Sequence, residues 1–146
     1  MRVPYKIFPV TESDPGYAGS ASTWMPILAV SLVIGHTRTP RFEVLVDSGA
    51  FTTYFHSDVG RSFGLKIEKG EPGQLKGVVD GPPAIVYYHP VKLCVAEHII
   101  SIKAGFYDRL AFAGILGRHG FFEHFTTLFD PSNNPPGLEI TRIHRA

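Results

Sequence analysis

Cysteine is nearly absent. Cys94 stands alone among 146 residues, so no internal disulfide forms and no cysteine-based metal motif exists. A reducing compartment is compatible with that usage. A basic run is also missing. The 14 lysines and arginines are scattered and the net charge is +1, which leaves no strong field for nucleic acid or an anionic membrane surface. Long apolar runs are lacking too. The opening MRVPYKIFPV has no apolar core of signal-peptide length, and the longest apolar stretch, PILAVSLVIG at 26–35, is about half of a membrane span. Neither a glycine-rich phosphate loop nor a G-x-S-x-G elbow occurs. These absences predict a soluble, cytoplasmic protein without nucleic-acid or membrane partners, without a metal and without a cofactor.

Turn residues, by contrast, are plentiful. Twelve prolines and fifteen glycines divide short apolar segments, a pattern of many strands and few helices. The length suits one domain with one core. Residues 1–23 read as an arm or irregular lead-in, and 24–146 as the domain. PILAVSLVIG predicts a first strand, HTRTP (36–40) a turn and RFEVLVD (41–47) the return strand of a hairpin. A short helix is expected in SDVGRSFGL, with Ser57 as its cap, Asp58 in its first turn and Gly60 weakening it. QLKGVVD and AIVYYHPVKLCVA, around the GPP tip, predict a second hairpin. HIISIKAGFY and AFAGIL read as strands, RHGFFEHF as a short helix, and TTLFD and GLEITRI as closing strands.

The chemistry concentrates where the second strand ends in Asp47-Ser48-Gly49-Ala50. A charged side chain closing an apolar strand is costly unless it is paired, hydrogen-bonded or working. The bland reading is an Asx-type turn. The sharper one is a general base that polarises water. One carboxylate hydrolyses peptides poorly. Two sharing a proton divide the labour, because close like charges push one pKa up and the other down. Gly49, with no Cβ, lets backbone pack beside the acids, and Ser48 offers a bracing hydroxyl.

VLVDSGA followed by AGILGR resembles the single-domain retropepsin-like aspartic proteases. In that family an apolar strand delivers D-[ST]-G-A, and a later hydrophobic-hydrophobic-Gly strand packs beside it ahead of a short helix. The matching positions here are Val44 to Ala50, then Ile115, Leu116 and Gly117, then His119 to Phe125. The resemblance spans about residues 26–143. It implies an all-β, closed retropepsin-like barrel with one or two short helices and a flap hairpin. It further implies that Asp47 is catalytic and that Ser48 bonds across two active-site loops. Gly49 and Ala50 would shape the floor, and Ile115, Leu116 and Gly117 would support it. The hairpin around 75–88, with Gly77, Val78, Val79, Asp80 and Gly81 at its tip, would close over a polypeptide substrate. Only one D-[ST]-G is present, so the expected enzyme is a homodimer that joins Asp47 to its twin across a two-fold axis. Such a dyad favours an acidic to mildly acidic optimum.

Two positions depart from the viral pattern. Viral members have an acid directly after D-[ST]-G-A, paired with the arginine after the later glycine. Phe51 stands there, leaving Arg118 to find another partner. The tip, with Pro82 and Pro83, is also less glycine-rich than viral flaps. These departures support an alternative, a non-catalytic dimerisation or peptide-binding module with the same fold. The remaining candidates have simpler uses. His119 and His124 read as surface or cap histidines; His36 and His56 lie near the hairpin and the site loop, where a pH response is the minor alternative; Cys94 reads as a buried small hydrophobe, and Phe121, Phe122 and Phe125 as core. Tyr87 and Tyr88 read as strand packing.

Overall fold

The computed structural model describes residues 1–10, 16, 21–75 and 80–145. Thirteen strands dominate it: β1 Arg2–Pro4, β2 Lys6–Pro9, β3 Ser22–Met25, β4 Ile27–Ile34, β5 Thr37–Arg38, β6 Phe42–Val46, β7 Tyr54–His56, β8 Glu71–Leu75, β9 Ala84–Val95, β10 His98–Tyr107, β11 Gly114–Leu116, β12 Phe125–Asp130 and β13 Gly137–Arg142. One helix, α1, covers Ser57–Arg61, and a 3-10 turn covers Ile67–Lys69.

The apolar run of β4 has a structural cause. Its first half pairs with β6, with Ile27 opposite Leu45 and Val30 opposite Phe42. Its second half pairs with β9, with Ser31 opposite Cys94 and Val33 opposite Lys92. One strand therefore serves two neighbours, and six strands close in the order β4-β6-β11-β7-β10-β9 and back to β4. Closure removes the exposed edges that an open sheet would leave. β5 and β8 hang on the outside of this ring, on β4 and β9. Inside it, Leu32, Val44, Phe55, Leu93, Phe106 and Leu116 are fully buried. Each such side chain contributes roughly 1.5–3 kcal/mol relative to exposure. Phe55 sits at the centre, 5.9 Å from the Phe42 ring and 6.0 Å from Phe106. Cys94 is buried, as a small hydrophobe would be.

Two smaller sheets flank the barrel. β12 and β13 form a hairpin around the DPSNNPPG loop, and β1 pairs with β13, setting Arg2 opposite Glu139. β2 and β3 form a separate ribbon with Ile7 opposite Trp24. The irregular lead-in expected over residues 1–23 is thus corrected over 2–9. Alternation is too short there to reveal strands; β1 is ordered by β13, more than a hundred residues away, and β2 by β3.

Three further expectations change. RHGFFEHF forms turns instead of a helix. Gly120 takes a φ of +94°, which breaks a right-handed helical run. The Phe122 and Glu123 amides reach the Gly117 and Arg118 carbonyls, five residues back. The strand expected over AFAGIL shrinks to Gly114–Leu116. The cap of α1 is His56, whose Nδ1 accepts from the Asp58 amide, while Ser57 is the first helical residue. Gly60 reflects packing: a Cβ there would meet Ile67 Cδ1 at 2.8 Å and Phe106 at 3.1 Å.

Candidate active site

β6 turns Val44 and Val46 inward, both buried, and delivers Asp47 at its end. The Asp47 amide donates to the Leu116 carbonyl at 3.0 Å, extending the β6–β11 ladder one residue beyond β6. Its carbonyl accepts from the Ala50 amide at 3.2 Å, and its Oδ1 accepts from the Gly49 amide at 2.9 Å. The Asx-type turn weighed against catalysis is therefore present, and it fixes Oδ1 of the carboxylate on the Gly49 amide. Oδ2 has no hydrogen-bond or ionic partner among the described residues. Asp47 and Ala50 are half-buried, whereas Ser48 and Gly49 are exposed. The Ser48 hydroxyl likewise has no partner among the described residues.

The crossing strand β11 runs parallel to β6, with Ile115 opposite Leu45 and Leu116 opposite Val46, and antiparallel to β7. Gly117 follows it into very close backbone packing. A Cβ on Gly117 would lie 2.0 Å from the Thr52 carbonyl oxygen. The loop after Gly117 then zips onto the loop after Asp47. The Arg118 amide donates to the Ala50 carbonyl and the His119 amide to the Phe51 carbonyl, each at 3.0 Å.

Thr53 joins the two loops, and sequence reasoning missed it. It is fully buried; its Oγ1 accepts from the Gly117 amide at 3.1 Å and donates to the His119 carbonyl at 2.9 Å. The available signal was a Thr-Thr pair entering an apolar segment, where a hydroxyl must find buried partners. Thr53→Val keeps the shape and leaves the Gly117 amide unpaired in the interior. It is expected to cost about 1–3 kcal/mol, read as a lower urea midpoint at unchanged m-value. An unchanged midpoint would show that the hydroxyl braces nothing.

The Phe51 departure has a physical answer. The Arg118 guanidinium lies 4.7 Å from the Phe51 ring centroid. A cation–π contact occupies the place that an ion pair holds in the viral pattern, and at an exposed site it contributes about 0.5–1 kcal/mol. His119 bonds to Glu123 at 2.9 Å, and the Gly120 amide donates to the same carboxylate at 3.1 Å. The His119 bond first, and then that amide, hold the Glu123 carboxyl below its usual range. Among the described residues no group of three or more His, Cys, Asp or Glu is placed to hold a metal ion.

β8 and β9 form the second hairpin, in register from Glu71 opposite Tyr88 to Leu75 opposite Ala84. Its first strand starts at Glu71, earlier than expected. Asp80 and Gly81 are exposed near the tip, whereas Gly77, Val78 and Val79 lie outside the described residues. Behind the site loop, burial first, and then a hydrogen bond with Tyr88, raise the Tyr54 phenol pKa well above its ordinary value.

No protein-family model matches the chain, and no curated protein does. Solved structures do. A retropepsin-like aspartic protease from Rickettsia conorii is similar with a TM-score of 0.55 at 11% identity, over 78% of this chain and 88% of that one. EIAV protease complexed with the inhibitor HBY-793 is similar at 22% identity with a TM-score of 0.46, over 64% of this chain and 82% of that one. The likeness to the Rickettsia conorii structure establishes a retropepsin-like fold. Among the described residues no helix is long and apolar enough to cross a membrane.

Proposed function

We propose that the chain is a homodimeric aspartic endopeptidase that hydrolyses peptide bonds with Asp47 and the partner subunit's Asp47. The observation that carries this reading is the Asp47 loop. A carboxylate with one oxygen anchored and the other open stands at the end of a buried strand, locked by backbone bonds to β11 and the Gly117 loop. The aspartic protease fold of the Rickettsia conorii structure supports the same reading.

One carboxylate accepts a proton from water as the water oxygen bonds to the scissile carbonyl carbon. The other, protonated, donates to the carbonyl oxygen. The tetrahedral intermediate collapses as the C–N bond breaks and a proton passes to the leaving amine. Ser48, exposed and unpartnered within the chain, is set to brace the twin loop. Gly49 and Ala50 form the floor. Ile115, Leu116 and Gly117 support it, and the hairpin tip, Gly77 to Gly81, closes over the substrate. Two like-charged carboxylates at van der Waals distance share one proton, which favours an acidic to mildly acidic optimum.

The Phe51–Arg118 stack favours a second reading, a dimeric peptide-binding module that keeps the fold and has lost cleavage. Sedimentation combined with a peptide library separates the two. A dimer that cleaves and binds a statine-type inhibitor is expected. A dimer that does neither supports the module, and a monomer that cleaves removes the shared dyad.

A further inference from the structure

A feature that the Asp47 site leaves unused lies at the end of β13. Glu123, His124, Arg142, Ile143 and Arg145 line an open cavity of about 410 Å³. Neither the loop after Asp47 nor the β8–β9 hairpin contributes a residue to it. Two segments build it, the turns that follow Gly117 and the end of β13 with the residues beyond. The His124 carbonyl holds them together. It accepts from the Ile143 amide and from Arg142 Nη1, each at 2.8 Å.

Main chain positions both arginines. The Arg142 guanidinium also lies 5.4 Å from the Phe125 ring centroid, and Arg145 Nη2 donates to the Glu123 carbonyl at 3.2 Å. Successive carbonyls thus anchor one edge of each guanidinium and leave the rest of its N–H fork open. Among the described residues neither arginine has a carboxylate partner. The acid of the lining is committed elsewhere, because the Glu123 carboxylate bonds His119 and the Gly120 amide. Burial first, and then the Arg142 charge, hold the His124 imidazole below its ordinary pKa; Glu123 opposes this and Arg145 adds to it. The cavity therefore has positive potential that no group of the chain neutralises among the described residues.

We propose that this cavity binds an oxyanion of the phosphate class, as inorganic phosphate or a small phosphate monoester, through Arg142, Arg145 and His124. A guanidinium fork pairs two N–H groups with two oxygens of one anion, and two such forks suit a tetrahedral oxyanion. Two fixed cations, with an imidazole able to gain a proton beside them, favour a dianion over the single charge of a carboxylate. A cavity of roughly 150 Å³ holds benzene, so 410 Å³ leaves space for a substituent on the anion. The site does not depend on the endopeptidase reading, and binding is measured without cleavage.

The test titrates the full-length chain with inorganic phosphate, glycerol phosphate or acetate at matched ionic strength and follows the His124 ring by NMR. Saturating phosphate should raise the His124 pKa by about half a unit or more, since the bound anion offsets the two arginines. Acetate should leave it unchanged. Tighter binding of glycerol phosphate than of phosphate assigns the site to monoesters, and the reverse order to the free ion. Arg145→Gln should weaken phosphate binding about tenfold, and Arg145→Lys, which keeps the charge but loses the fork, should weaken it less. Arg142→Gln should act likewise, with circular dichroism checking its fold. Since Arg145 is exposed, its variants carry the test if Arg142→Gln unfolds. Arg41→Gln, an exposed cation outside the cavity, should change nothing. An equal response to acetate and phosphate, unchanged binding in Arg145→Gln, or an equal loss in Arg41→Gln would overturn the site. Capture by phosphatidate vesicles without a response to either soluble phosphate would overturn it in favour of a membrane surface.

Discussion

Asp47→Asn is expected to lower kcat/KM for peptide cleavage by at least about 10³-fold, because general acid–base groups contribute roughly 10²–10⁴ each and the symmetric variant loses both. The substitution isolates chemistry from folding. The asparagine carbonyl can still accept from the Gly49 amide, as Oδ1 does at 2.9 Å, and the bond from the Asp47 amide to Leu116 involves main chain only. Thermal stability should therefore hold while activity goes. Cleavage that survives in a folded Asp47→Asn chain would end the dyad mechanism.

Mixing sharpens the result. A dyad needs an aspartate from each subunit, so an Asn/Asp heterodimer should be nearly inactive. If subunits exchange freely, activity follows the square of the unchanged fraction, about a quarter at equal proportions. A site complete within one chain would follow the fraction linearly and keep about half. With a single Asp-Ser-Gly in the sequence, the proposed dyad predicts the quadratic law.

Strong local patterns were legible in the sequence. The β4–β6 hairpin could be read because its strands are neighbours and their apolar residues run without a break. The loop at 47–50 could be read because a charged residue ended a buried strand. β1 escaped detection since its order comes from β13, and no local period encodes a pairing across the whole chain. The failed helix at RHGFFEHF shows the opposite limit. Its aromatic spacing suits a helix, but Gly120 takes a φ of +94° and a Cβ added there would lie 3.0 Å from Thr53 Oγ1, and tertiary closeness overrides propensity. Thr53 and the Phe51–Arg118 stack were invisible for a related reason. Each joins loops that lie more than sixty residues apart.

The second large effect is expected at Gly117. Its φ lies outside the left-handed region, so space, and not backbone conformation, demands glycine. An added Cβ would sit 2.0 Å from the Thr52 oxygen, 2.6 Å from the Thr52 carbonyl carbon and 2.9 Å from the Ala50 oxygen. All three are backbone atoms, so no side chain can swing aside. The Thr52 and Ala50 segments are also fixed, since the Ala50 carbonyl holds the Arg118 amide and Thr52 bridges His119. Relief must come from separating the two loops, which breaks those bonds and the contact that sets Asp47. Gly117→Ala should cost about 1–3 kcal/mol or more, a fall in Tm of roughly 3–10 °C for a chain of this size. Residual folded protein should have lost cleavage through displacement of the Asp47 loop. Gly81→Ala supplies the contrast, because among the described residues nothing lies within 4 Å of a Cβ there. Its stability should change by less than about 0.5 kcal/mol. Equal stability of the Gly117→Ala and Gly81→Ala chains would mean that the loops do not pack this closely, and the braced site would lose its foundation.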